Sequence, residues 1–311
     1  MSIKDRNIVI IEARSELGAG TRGASLGPSS IRIRDLEKDG FLSNYKTIAL
    51  SSYDNLFHGT ESPFAKNIGH IYDFNRSLKE AVNKELAKGN FVLLLSGDHS
   101  NAIGGVAGFR ETFNETLHHL VWVDAHGDLH SPYTTPSGNM HGMPLAALLG
   151  LDNHRSVDRE LPEETKAQWD ALKTLTKNKN GHLKPEEICF IGIRDLEQEE
   201  WDLIDRLGIH YFDNKVFKKE NTSGICSDIA NKTATYPMYV SFDVDVIDSA
   251  LSDGTGTPVP DGLNAEQAVQ VLSSLLSNKN TKMLEITEVN PLLDTKSRTV
   301  DLVLQLLKKV L

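Results

Sequence analysis

The chain has 311 residues, 39% hydrophobic and 24% charged, with a formal net charge of −10 and two cysteines. That is ample for one large core, so residues 1–311 are expected to form a single domain. The acidic balance, without any Lys/Arg block, argues against nucleic acid or an anionic membrane as partner, and no apolar run approaches the roughly 20 residues that span a bilayer.

Residues 1–6 are charged and lack the apolar stretch of a signal peptide. Two cysteines do not make a disulfide framework, so a reducing cytoplasm is the expected setting. A first strand is expected over 7–11. Gly18, Gly20 and Gly23 then match G-x-G-x-x-G, and Asp54 follows a second strand where a ribose-binding acid would stand. This nucleotide reading requires a helix to open inside the glycine run. Gly27-Pro28 interrupts any such helix, and the glycines come about six residues past the strand rather than in its first turn. The run is therefore read as a flexible surface loop, with Pro28 at the start of a helix reaching residue 38.

Further strands are expected at 46–50, 91–95, 120–123, 188–193, 238–242 and 283–286. Helices are expected at 67–86, 102–113, 162–175, 199–207, 265–275 and 298–310. Asn264 and Gln267 form a capping box, residues 177–181 a solvated turn, and Cys189 a buried thiol. The repeated strand–helix order implies an α/β fold, a mostly parallel sheet with helices on both faces.

Three strand ends carry the same chemistry. The run 120–123 leads into Asp124-Ala125-His126-Gly127-Asp128, with ligand types at alternating positions that an extended backbone would aim to one side. The run 238–242 leads into Asp243-Val244-Asp245, and the run 91–95 into Gly97-Asp98-His99-Ser100. A single Asp at a strand end is usually a turn or cap residue, and a lone His a satisfied structural group. Six together are different, because ligands bind beyond the carboxyl ends of strands in such sheets. His99, Asp124, His126, Asp128, Asp243 and Asp245 exceed what one ion takes, and their carboxylates would repel one another. Two divalent ions sharing carboxylates resolve that repulsion.

These motifs, with the segment Leu26-Gly27-Pro28-Ser29-Ser30-Ile31-Arg32 before them and Glu288-Val289-Asn290-Pro291 after, resemble the ureohydrolase family, and within it the arginases. The resemblance covers nearly the whole chain. It implies a three-layer α/β/α fold, a homotrimer or homohexamer, and a pair of manganese ions that ready a water for attack; cobalt, nickel and iron cannot be separated from manganese by residues alone. One ion would be held by His99, Asp124, Asp128 and Asp243, the other by Asp124, His126, Asp243 and Asp245. Glu288 would orient the guanidinium of L-arginine, with Thr257 adding a hydrogen bond. Asp128 and His141 would move protons, giving urea and ornithine.

Thr135, Ser137 and Asn139 match contacts to the amino-acid carboxylate, which agmatine lacks. His130 stands where Asn is common in the family. Glu197 stands where Asp is usual for the α-amino group, and Glu200 matches a second acidic position. Asp248-Ser249 replaces a common Asp-Pro. From residues alone, His141 could instead cap the following helix, and Glu288 could be a surface ion-pair partner. Guanidinobutyrate or agmatine as substrate, or a non-catalytic metal-binding regulator, are the alternatives. His118 and His119 are given no role, and His58, His70, His154, His182 and His210 are read as surface or packing residues.

Overall fold

The computed structural model describes residues 3–52, 62–153, 159–219, 222–232 and 235–311. Asp54, His58 and His154 lie outside them. Eight strands are described: β1 (Ile8–Arg14), β2 (Lys46–Ser51), β3 (Phe91–Ser96), β4 (His119–Val123), β5 (Ile188–Ile191), β6 (His210–Phe212), β7 (Met238–Asp243) and β8 (Thr281–Thr287). They form one sheet in the order β2-β1-β3-β8-β7-β4-β5-β6, and every pairing is parallel. The helices are α1 (Gly27–Leu36), α2 (Ile68–Leu86), α3 (Ala102–Thr112), α4 (Pro144–Leu149), α5 (Glu163–Leu175), α6 (Gln198–Leu207), α7 (Asn214–Lys219), α8 (Thr222–Lys232), α9 (Ala265–Ser277) and α10 (Arg298–Val310).

The inner strands β1, β3, β8, β7, β4 and β5 are buried on both faces, which is why they read as mostly apolar runs, whereas the edge strands β2 and β6 are exposed or half-buried. Alternate residues separate into two cores. Leu93 and Leu95 pack with Val121, Val240 and Leu284 against α1, α8, α9 and α10. Val92 and Leu94 pack with Leu120, Trp122 and Phe190 against α2, α3, α4 and α6. A third cluster, including Trp169 and Leu172 of α5, lies over the second helix layer. The result is the expected three-layer α/β/α arrangement.

Four elements were not expected from sequence, β6, α4, α7 and α8, and the first two have plain physical reasons. Strand β6 has only three residues. Helix α4, Pro-Leu-Ala-Ala-Leu-Leu, is buried at every position and so shows no amphipathic period. The capping box at α9 is present, with Asn264 and Gln267 each accepting from the other's backbone N–H at 2.9 Å. Cys189 is buried in β5.

The glycine run is corrected. It does not carry a nucleotide-binding helix, but it is not a free surface loop either. Gly18 donates its N–H to Asp98 at 3.0 Å, and a Cβ there would lie 2.6 Å from Ser100 Oγ. Gly23 has φ of +123° and packs against Asn290. Only Gly20, Thr21 and Arg22 within the run are exposed.

Candidate metal centre and active site

The predicted ligands gather beyond the carboxyl ends of the four central strands, β3, β8, β7 and β4. The route by which Asp124, His126 and Asp128 converge differs from the extended strand expected. Strand β4 stops at Val123, and the chain then curls until Asp128 sits at φ of +52°. Glu288, just beyond β8, also has positive φ, +63°. Two acidic side chains of the site thus ride on backbone that L-residues rarely adopt, a cost met by the surrounding packing.

His99 anchors the first ligand group. Its ring stacks on Trp122 with centroids 4.1 Å apart, and its Nε2 lies 2.8 Å from Ser241 Oγ. The Ser241 hydroxyl donates to Glu285 Oε2 at 2.9 Å, as does Tyr239 Oη at 2.7 Å. With its hydrogen given to Glu285, Ser241 can only accept from His99, so Nε2 carries the proton and Nδ1 presents a lone pair. That lone pair faces carboxylate oxygens of Asp124, Asp128 and Asp243 at 3.1, 3.0 and 3.2 Å. Even an added proton on Nδ1 could serve only one of the three. Buried Asp128 Oδ2 has no hydrogen-bond partner. His99, Asp124 and Asp128 lie close enough together to share one cation, with Asp243 beside them on His99, and separations near 3 Å from Nδ1 fit neighbouring ligands on a hard divalent ion with bonds of about 2.1 Å.

The second group is Asp124, His126 and Asp245. His126 Nδ1 lies 3.0 Å from Asp245 Oδ2 and 3.5 Å from Asp124 Oδ1. Asp124 therefore offers one oxygen to each group. Asp243 reaches the first group through Oδ2, while its Oδ1 accepts from the Asp245 N–H at 2.9 Å. Thr257 Oγ1 donates to Asp245 Oδ2 at 3.1 Å.

The electrostatics of the protein without cations fit the same reading. Burial, with neighbouring carboxylates, pushes Asp128, Asp243 and Asp245 above the ordinary range. Burial opposes ionisation of Asp124 too, but His126 and His99 hold it well below that range. Protons and cations thus compete for one cluster of oxygens.

One cleft is lined by His99, His126, Asp128, Asp243 and Asp245 together with His130, Thr135, Ser137, Asn139, His141, Glu197, Glu200, Thr257 and Glu288. Asp124 lies beneath, 1% exposed, between the two histidine ligands. The structure therefore brings together every residue expected from sequence to bind metal or substrate or to move protons. Glu288 is buried rather than a surface ion-pair partner, and its Oε1 accepts from the His99 N–H at 2.9 Å and meets His141 Nδ1 at 3.1 Å. Burial disfavours charge on His141, yet Glu288 raises its pKa to about 9, so the two form an ion pair. His141 lies in a short turn of helix before Met143 and does not cap α4.

On the cleft wall, His130 Nε2 lies 3.1 Å from Glu197 Oε2 and 3.8 Å from Glu200 Oε2. His130 holds Glu197 down to about 2, whereas burial lifts Glu200 to about 8. Thr135 Oγ1 accepts backbone N–H from Ser137 and Gly138, and Ser137 Oγ accepts from Asn139 N–H. Both hydroxyl hydrogens remain available to an anion. His118, given no role, is a structural clamp between Glu187 and the Phe113 carbonyl.

Comparison with known proteins agrees with the geometry. The sequence model described as the Arginase family matches residues 6–311. The chain belongs to the arginase family. It is an enzyme, a hydrolase of the arginase kind. It is 32% identical to the arginase of Brevibacillus brevis over 312 residues, spanning 98% of each chain. It is 34% identical to the arginase of Plasmodium berghei over 238 residues, a match covering 76% of this chain and 62% of that one. Among solved structures, Entamoeba histolytica arginase in complex with L-ornithine superposes with a TM-score of 0.84 at 26% identity, covering 97% of both.

What sequence reasoning missed in this arginase-family site is the support behind the ligands. Ser241 and Glu285 are register partners across β7 and β8. A Ser and a Glu inside otherwise apolar strands were the available signal. Asp98 was passed over beside His99. It accepts from the backbone of Gly18 and Ser100, and burial with Glu288 nearby lifts it to about 6. No described helix is long and apolar enough to cross a membrane.

Proposed function

We propose that this arginase-family hydrolase cleaves the guanidino group of L-arginine to L-ornithine and urea, using two Mn2+ ions. The observation that carries the reading is the single cleft in which two ligand groups, a buried carboxylate for a guanidinium and neutral donors for a carboxylate face one another. His99, Asp124, Asp128 and Asp243 would hold one ion, and Asp124, His126, Asp243 and Asp245 the other. Oxygen and imidazole donors without cysteine suit a hard or intermediate divalent ion, and manganese is the choice the family resemblance supports. When bound, such a pair supplies a water of lowered pKa, positioned to attack.

The chain's own residues do the rest. Glu288, held at Oε1 by the His99 N–H and by His141, keeps a negative charge for the guanidinium. Thr135 and Ser137 offer hydroxyl protons, and Asn139 its amide, to the α-carboxylate. Glu197 and Glu200 face the α-ammonium, with His130 between them. His141, paired with Glu288 at 3.1 Å, and Asp128, which lines the same cleft, can relay the proton that the leaving amine takes. A single domain, a cytoplasmic setting and a homotrimer or homohexamer belong to the same proposal, and the family resemblance supports them.

The test is urea release from arginine, agmatine and guanidinobutyrate in parallel, on protein whose manganese content has been counted. Arginine is expected to be preferred. Preference for agmatine overturns the substrate assignment, and no urea from any of the three with two ions bound overturns catalysis itself.

A further inference from the structure

The segment following β5 is not part of the ligand set, yet it touches one side of it in an ordered way. Arg194 uses its whole guanidinium on backbone carbonyls. Nε donates to Pro260 at 2.9 Å, Nη1 to Gly192 at 3.2 Å and Val246 at 3.3 Å, and Nη2 to Asp245 at 2.7 Å and Val259 at 2.9 Å. These are the five donors an Arg side chain possesses. No other side chain could serve five acceptors spread over three loop segments, and Lys offers only three donors from one point.

The backbone here reaches the same neighbourhood from the other side. The N–H groups of Arg194 and Asp195 both donate to the carbonyl of Ala125, at 2.9 and 3.0 Å. Ala125 lies between Asp124 and His126. The carboxylate of Asp195 lies 3.7 Å from His126 Nε2, the nitrogen turned away from the ligand cluster. The loop end held by the side chain, 259–260, closes the segment that carries Thr257, whose hydroxyl meets Asp245 Oδ2. The Arg194 side chain thus holds Asp245 and the loop of Thr257, and the 194–195 backbone it fixes holds the turn between Asp124 and His126. The other group is held differently: His99 by Trp122 and Ser241, Asp128 through its carbonyl by the Leu145 N–H. Among the described residues, no hydrogen bond runs from Arg194 or Asp195 to His99 or Asp128.

A guanidinium so close to a cation site gives the cation no electrostatic help. Its geometry is what the site can use. We infer that Arg194 is a positioning residue chiefly for the cation held by Asp124, His126 and Asp245, and far less for the one held at His99, with which that group shares only Asp124 among the residues Arg194 and Asp195 hold. This rests on the two-ion reading above. It predicts that the two cations can be uncoupled by a change that alters no ligand.

The test is a titration of Mn2+ into metal-free wild type and Arg194→Lys, with bound ions counted and electron paramagnetic resonance recorded. Wild type should take up two ions and show the spectrum of a spin-coupled pair. The variant should bind its first ion as wild type does and its second about 10- to 100-fold more weakly, the usual cost of losing support behind a ligand. At one equivalent it should show an isolated ion, and excess Mn2+ should restore the pair. Equal affinities in both proteins, or both ions weakened alike, would overturn the inference. If metal-free Arg194→Lys fails to fold by circular dichroism, Arg194→Gln is read in the same way, and unfolding of both assigns Arg194 to the fold and overturns it as well. Fewer than two ions in wild type would instead defeat the two-ion reading, and this inference with it.

Discussion

Ser241→Ala tests the proposed role of His99 as a metal ligand. The change removes one hydroxyl that accepts from His99 Nε2 at 2.8 Å and donates to Glu285 at 2.9 Å. Both partners are buried, so each loses a bond it cannot recover from water. A buried group left unsatisfied costs about 1–3 kcal/mol. Glu285 keeps its bond from Tyr239, so its share falls at the low end, and the metal-free protein should lose about 2–4 kcal/mol. Typical unfolding entropy, scaled to 311 residues, converts this into a melting temperature lower by roughly 3–6 °C. The metal should suffer separately. Without Ser241 the Nε2 proton is no longer fixed, and affinity at the His99 position should fall about 10- to 100-fold. Thermal melts of the metal-free proteins and calorimetric Mn2+ titrations measure the two effects independently. Unchanged affinity despite a lower melting temperature would leave Ser241 a packing residue and refute the tautomer argument. No change in either would refute the hydrogen-bond chain itself.

Other outcomes follow from the same geometry. Asp128→Ala should lose one of two ions and nearly all turnover, by metal counting and urea release; full activity with both ions retained contradicts its place in the cluster. Ser137→Ala combined with Asn139→Ala should raise KM for arginine at least about tenfold, since bonds to a charged group contribute about 1.5–3 kcal/mol, while metal content stays the same. An unaltered KM removes both from substrate recognition. Asp301 joins α10 to α1, and its bond from Arg34 holds its pKa at about 2. That lies below the unfolded value of about 3.9, so its stabilisation is complete above roughly pH 4 and lost as pH falls through the folded value. Solvent screening keeps it under about 1 kcal/mol, so Asp301→Asn should lower the melting temperature slightly at neutral pH and converge with wild type near pH 2. A gap that persists in acid would assign the effect to packing.

The candidate ligands were legible because each is a local event, an acid or imidazole where an apolar run stops. The alternation of β and α elements was legible for the same reason, since period and length lie within one segment. The curl through Asp128 was not, because its positive φ is imposed by packing from elsewhere in the chain. Nor was the pairing of Ser241 with Glu285, which depends on the register of two strands far apart in sequence. Gly18 and Gly23 looked like loop glycines because Asp98 and Asn290, which press against them, come much later. Helix α4 escaped because burial on all sides erases the pattern by which a helix is recognised.

Strand β8 follows the other seven in chain order, yet it lies mid-sheet, paired with β3 on one side and β7 on the other. Without it, the same strand order would leave two half-sheets with bare borders facing one another. His99 belongs to one half, and Asp124, His126, Asp128, Asp243 and Asp245 belong to the other. The keystone brings Glu288 with it and fixes the distance between the halves. A nascent chain lacking residues 281–287 therefore has ligands but no centre, and two adhesive edges that invite mispairing. A cation site spanning both halves would thus be complete only once the sheet is.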